Sequence, residues 1–117
     1  MPASKIIYRK VSDSVAREVT PNHIVRNFIT KDDNPEISVA VSELSGNVHA
    51  TMSPVSDRIY YFITADNCKI EFENETIDVE AGSVLFIPKN TDYKMTGNFR
   101  AVLINTPAFG VTSPNAH

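Results

Sequence analysis

Few side chains in this sequence can move a proton near neutral pH. Histidine is the usual base there, and His49 stands mid-chain, with His23 earlier. Tyrosine can donate a hydrogen bond to a ligand or serve as an acid, and Tyr60 and Tyr93 both adjoin apolar runs. In "RIYYFITA" (58–65) Arg58 and Tyr60 are two residues apart. On a strand they share a face, while Tyr61 points the other way. Each residue also has a plainer reading. A buried tyrosine is commonly bonded to a backbone carbonyl. Arg58 could turn outward to Asp57 or lie over an aromatic ring, and His49 could be a rim or surface residue. Cys68 alternates with Ile70 and Phe72 and reads as core. As the single cysteine, it has no partner for an intrachain disulfide.

The elements that must position these residues are strands. The apolar period is two, as in "ISVAVSEL" (37–44) and "CKIEFE" (68–73). "TIDVE" (76–80) resumes after a turn at Asn74 and Glu75, with Ile77 and Val79 inward. "RIYYFITA" and "VLFIP" (84–88) read as buried strands, and "FRAVLINTP" (99–107) as the last. Two weaker strands are expected at 5–10 and 23–30, with a helical turn in "SDSVAREVT" (12–20) and a loop over 31–36. Many short strands at this spacing indicate an all-β sandwich or barrel. In such a core Phe62→Ala or Phe86→Ala is expected to cost about 3–5 kcal/mol.

A chain of 117 residues is expected to form one domain, 1–117, with a barrel core over about 23–109 and a flexible tail at 110–117. Apolar residues make up 42% and charged residues 21%, which is ordinary for a globular protein. The net charge of −3, with no basic stripe, argues against a nucleic-acid partner. Apolar runs of about five residues are too short to span a bilayer. "MPASKIIYRK" has no apolar stretch of the signal-peptide kind, so the expected location is the cytoplasm.

"GSVLFIPKNTDY" (82–93) resembles the second motif of the cupins, small jelly-roll or double-stranded β-helix barrels. That motif runs Gly, five residues, Pro, one, Gly, two, His, three, Asn. Here the same spacing carries Gly82, Pro88, Asn90, Tyr93 and Gly97. "GNVHATMSPVSDRIYYFITA" (46–65) fits the first motif's spacing, with Gly46, Met52, Pro54, Arg58 and Ala65 at its marked positions. The resemblance implies an all-β cupin barrel with a ligand site inside it. In cupins the two histidines and glutamate of the first motif and the histidine of the second bind a metal. Met52, Pro54, Arg58 and Tyr93 fill those places here, and none is a usual ligand for such metals. The expectation is therefore no metal and no cofactor.

In the glutamate's place, Arg58 would point into the barrel and hold an anionic group such as a carboxylate or phosphate. Met52 would line the pocket as an adaptable apolar wall. Tyr93 and Tyr60 would be acids, and His49 or His23 the base. His23 would act from an early strand crossing the barrel mouth. "YYFI", "IPKNT" and "TPAF" further resemble metal-independent cupins that dehydrate a uridine aldehyde. The base of that group follows the first motif's glycine, which makes Asn47 a candidate ligand-binding position. A later tyrosine of that group is Met95 here. The function implied is acid–base isomerisation or dehydration of a small polar or anionic metabolite. A non-catalytic binding module and a mainly structural barrel are the alternatives. Cupins commonly pair through barrel edges, so a homodimer is expected in each case.

Overall fold

The computed structural model describes residues 6–46 and 49–111, with only the backbone of His49. Among the described residues a three-residue 3-10 turn at Val11–Asp13 is followed by eight strands. They are β1 (Val15–Thr20), β2 (His23–Ile29), β3 (Ser38–Ser45), β4 (His49–Thr51), β5 (Asp57–Glu71), β6 (Thr76–Asp78), β7 (Val84–Ile87) and β8 (Tyr93–Thr106). The pairing order is β1-β2-β3-β8-β5-β6, with β4 on β8 and β7 on β5. Every pairing is antiparallel. Among the described residues no helix is long and apolar enough to cross a membrane.

The two long strands organise the fold. The runs at 58–65 and 68–73 join as β5, and Tyr93 joins the 99–107 run as β8. Their ladder shifts register between Phe62 and Thr64 and between Asp66 and Lys69. Such bulges bend a strand and increase its twist. At the second bend Asn67 takes φ 49° and Gly97 φ 99°. A Cβ on Gly97 would stand 2.1 Å from the Asn67 carbonyl oxygen, so no other residue fits there. The curl is large. Tyr93 and Asn105 are twelve residues apart on β8, about 40 Å along a flat strand, yet both bond to the Arg58 side chain.

Alternation places the core as the sequence indicates on β5. Tyr60 and Phe62 are buried, Cys68 and Ile70 likewise, and Tyr61 is exposed. Phe62 stacks on Tyr60 and meets Phe99 edge-on. Four expectations are corrected. Residues 6–10 form no strand; Arg9 instead holds this segment through two hydrogen bonds to Asp33 and one to the Phe28 carbonyl. The 12–20 segment is mostly strand, because the β-branched residues of β1 pair with β2 along an exposed edge. Strand β7 is not buried throughout: Val84 is 65% and Phe86 56% exposed, while Ile87 is buried. Phe86→Ala should therefore cost far less than Phe62→Ala.

Candidate functional site

Arg58 and Tyr60 stand two apart on the inner face of β5, and Asn105 faces Arg58 across the β5–β8 ladder. Tyr93 opens β8 opposite Thr51, the last residue of β4. The curl of β8 brings these five together. Arg58 donates from Nε to Asn105 Oδ1 at 2.8 Å. Its Nη1 donates to Tyr93 Oη at 2.9 Å and to Thr51 Oγ1 at 3.1 Å. The Tyr60 and Tyr93 hydroxyls are 2.8 Å apart. Arg58, Tyr60, Tyr93 and Asn105 are all buried. Among the described residues no carboxylate pairs with Arg58. Its buried charge therefore rests on neutral acceptors, and it would be costly to leave them out.

This network fixes a proton. Tyr60 is enclosed, and among the described residues the side-chain acceptor within reach of its hydroxyl is Tyr93, since Arg58 can only donate. If Tyr93 donated to Tyr60, the Tyr60 proton would be left without an acceptor in the core, at about 1–3 kcal/mol. Tyr60 therefore donates, and Tyr93 Oη accepts from both Tyr60 and Arg58. Burial raises the Tyr60 pKa well above the ordinary phenol value of 10.0; Tyr93 adds to the rise and Arg58 opposes it. Tyr60 thus keeps its proton for this role. The Tyr93 proton must turn elsewhere, and Tyr93 borders an open cavity.

That cavity has a volume of about 1300 Å³. Tyr93 and Thr51 supply polar groups to its wall, and Phe72, Ile77, Leu85 and Pro88 supply apolar ones. An apolar pocket with few convergent polar groups is the usual form of a small-molecule site. Four carboxylates, of Glu71, Glu73, Glu75 and Asp92, border it against the single ammonium of Lys94.

The structure gathers some of the expected site residues and separates others. Arg58, Tyr60 and Tyr93 meet. Arg58 is no free clamp for an anion, because Nε and Nη1 are engaged and Tyr93 and Thr51 stand between it and the cavity. Met52 borders the cavity but is 42% exposed; Thr51, one residue earlier, turns inward to Arg58. His23 does not cross the mouth. It is buried, with Nε2 2.7 Å from Ser42 Oγ, and it pairs with Leu44 while Ser38, at the other end of β3, pairs with Asn105. The backbone of His49 pairs with Met95. Asn47 lies outside the described residues. Thr51 and Asn105 were missed. Asn105 lay within reach, since a buried arginine on a strand needs an acceptor on the neighbouring strand.

The residues at the four cupin ligand positions do not fit a metal. A guanidinium has no lone pair to offer, Pro54 is exposed and has no donor atom, and Met52 is exposed on the rim. Among the described residues no three of His, Cys, Asp or Glu group closely enough to hold a metal ion.

The nearly all-β antiparallel architecture with its curled strands is that of the cupin fold. The chain matches no family model and no curated protein sequence. Solved structures do match. KdgF from Halomonas sp. superposes with a TM-score of 0.77 at 14% identity, over 91% of this chain and 97% of that one. A protein from Planctomyces limnophilus does so at 0.80 and 15%, over 91% and 92%. Pac13, a nucleoside dehydratase, does so at 0.78 and 18%, over 91% and 86%; Streptomyces Pac13 variants are solved with uridine.

Proposed function

We propose that this chain binds a small polar metabolite in the cavity beside Tyr93 and catalyses its isomerisation or dehydration by proton transfer. The observation that carries the reading is the pair of contacts at Tyr93 Oη, 2.9 Å from Arg58 Nη1 and 2.8 Å from the Tyr60 hydroxyl, from which the direction of the Tyr93 proton is argued. Arg58 and Tyr60 both donate to Tyr93 Oη, which leaves its own hydrogen for a ligand. A carbonyl or hydroxyl oxygen of the metabolite accepts that hydrogen. His49 is the proposed base, since its backbone lies two residues from Thr51 on β4. A positioned acid or base typically supplies about 10²–10⁴-fold in rate. The structural likeness to a nucleoside dehydratase makes nucleosides one class to try.

The test is a thermal-shift panel of nucleosides, nucleotide sugars, sugar acids and dicarboxylates, with wild type and Tyr93→Phe side by side. A ligand at roughly 100 times its Kd adds about 2.7 kcal/mol, on the order of 10 °C for a chain of this size. Hits are then incubated with protein and followed by proton NMR. Stabilisation of wild type, its loss in Tyr93→Phe, and turnover that disappears with His49→Ala are the expected results. An equal shift in Tyr93→Phe removes the Tyr93 site. Binding without turnover leaves a binding module and removes the catalytic reading.

A further inference from the structure

The wall of the cavity beside Tyr93 is uneven in charge. Glu71 ends β5, Glu73 and Glu75 flank Asn74 in the turn before β6, and Asp92 lies in the turn before β8. Glu71 stands opposite Lys94 in the β5–β8 ladder, so these two charges offset one another. Glu73, Glu75 and Asp92 have no such answer. All three are exposed, and among the described residues their carboxylates enter no hydrogen bond or ion pair. Like charges around one opening repel each other and set up a field that draws in a positive group.

Exposed carboxylates alone would make only a solvated rim. The polar group at the cavity's inner side turns this rim toward a ligand. Tyr93 is 2% exposed and borders the cavity, and its hydroxyl accepts from both Arg58 and Tyr60. Its own hydrogen is thereby left to face the cavity. Phe72 links the two ends. It precedes Glu73 in the chain, and its half-buried ring lies 6.2 Å from the Tyr93 ring at 37°. An aromatic face attracts a cation within about 6 Å of its centre. Carboxylate, ring and phenol are thus consecutive neighbours along one wall.

A metal ion is a poorer occupant of this rim than an organic cation. Among the described residues no three of His, Cys, Asp or Glu group closely enough to hold one. An ammonium needs no such convergence. It carries three hydrogen-bond donors, and its carbon skeleton can lie on Phe72, Ile77 and Leu85.

We infer that the metabolite taken by this cavity carries a protonated amine. The ammonium lies among Glu73, Glu75 and Asp92 beside Phe72, and an oxygen of the same molecule accepts the Tyr93 hydrogen. The inference rests on the function proposed above and narrows its substrate class to hydroxyl- or carbonyl-bearing amines. Two polar anchors on an apolar wall fix the orientation of such a ligand.

The test is an NMR titration of the labelled full chain with two matched sets of probes. Glucosamine, glucose and glucuronate share one skeleton; phenethylamine, phenethyl alcohol and phenylacetate share another. In at least one set the amine should bind at the cavity about tenfold more tightly than the neutral member, each unanswered exposed charge giving a factor of about two. The acid should bind most weakly, and added salt should remove most of the preference. The triple variant Glu73→Gln, Glu75→Gln, Asp92→Asn should lose the preference, and the remote control Glu18→Gln should keep it. Circular dichroism checks that both are folded. Amines that bind no better than the neutral members overturn the inference. So does a lack of binding by either amine at millimolar concentration, or an equal response to magnesium chloride. If neutral members bind as tightly and Tyr93→Phe abolishes their binding, the proposed function stands without this substrate class. An amine preference that survives Tyr93→Phe keeps the cation site and removes Tyr93 from the proposed function.

Discussion

Tyr93 and Tyr60 share one hydrogen bond but should not be equivalent to mutation. Tyr93→Phe leaves the enclosed Tyr60 hydroxyl without its acceptor and removes one of the two acceptors of Arg58 Nη1. The expected loss is about 1–3 kcal/mol of stability. Tyr60→Phe leaves Tyr93 its bond from Arg58 and its own outward proton, so about 1 kcal/mol or less is expected. The double variant should lose less than the sum of the singles, because both partners go together. Urea denaturation with an unchanged m-value would check the order. Equal losses in the two single variants would contradict the assigned donor.

Among single residues, those two apart on one strand were legible in the sequence. Arg58 and Tyr60 inward and Tyr61 outward follow from the pleat alone. Contacts that depend on curl were not. The link from Tyr93 to Arg58 joins positions 35 residues apart. The displacement of Met52 by Thr51 turns on where β4 ends, and no apolar pattern marks that point.

At the scale of the element, the bend shared by β5 and β8 is the most constrained feature. Gly97→Ala should cost about 3 kcal/mol or more, since it adds a left-handed backbone penalty to a clash with rigid backbone. Asn90, at φ 65°, fills a position where the cupin motif has glycine, and asparagine tolerates that region. This explains how the motif keeps its turn without the residue. The two phenylalanines form a second comparison. Phe62→Ala should cost about 3–5 kcal/mol, and Phe86→Ala under about 1 kcal/mol. Thermal denaturation reads both. Composition could not separate them, because β7 carries apolar residues on both faces. Leu85 and Ile87 turn inward, while Val84 and Phe86 belong to the exposed outward face.

For the whole molecule, two buried acids set the response to alkali. Burial pushes the Cys68 thiol up from 9.0 to about 11, and the Tyr60 phenol well above 10.0. Both hold their protons longer in the folded state than in the unfolded chain. Neither contributes a pH dependence below about pH 8, where both states are protonated. Above pH 9 the unfolded chain releases protons that the fold retains, so stability falls as pH rises. Cys68→Ala should flatten the fall between pH 9 and 11, and Tyr60→Phe the part above 10. Urea midpoints across that range measure it, and a flat wild-type profile would contradict both burials.

The fold as a whole was legible because strand spacing and motif spacing pointed the same way. The charge around the cavity was not. Glu71, Glu73 and Glu75 lie together at the β5–β6 turn, but Asp92 comes from the turn before β8, and only the fold sets the two turns around one cavity. Their excess over Lys94 disfavours a phosphate or dicarboxylate.

The most direct measurement is of the two hydroxyl protons themselves, by NMR on protein labelled at tyrosine. The expected result is a Tyr60 hydroxyl proton that exchanges slowly with water and lies close to the Tyr93 ring. The Tyr93 hydroxyl proton should exchange fast until a cavity ligand slows it. A protected Tyr93 proton beside a freely exchanging Tyr60 proton would reverse the donor order and leave Tyr93 without a proton to give.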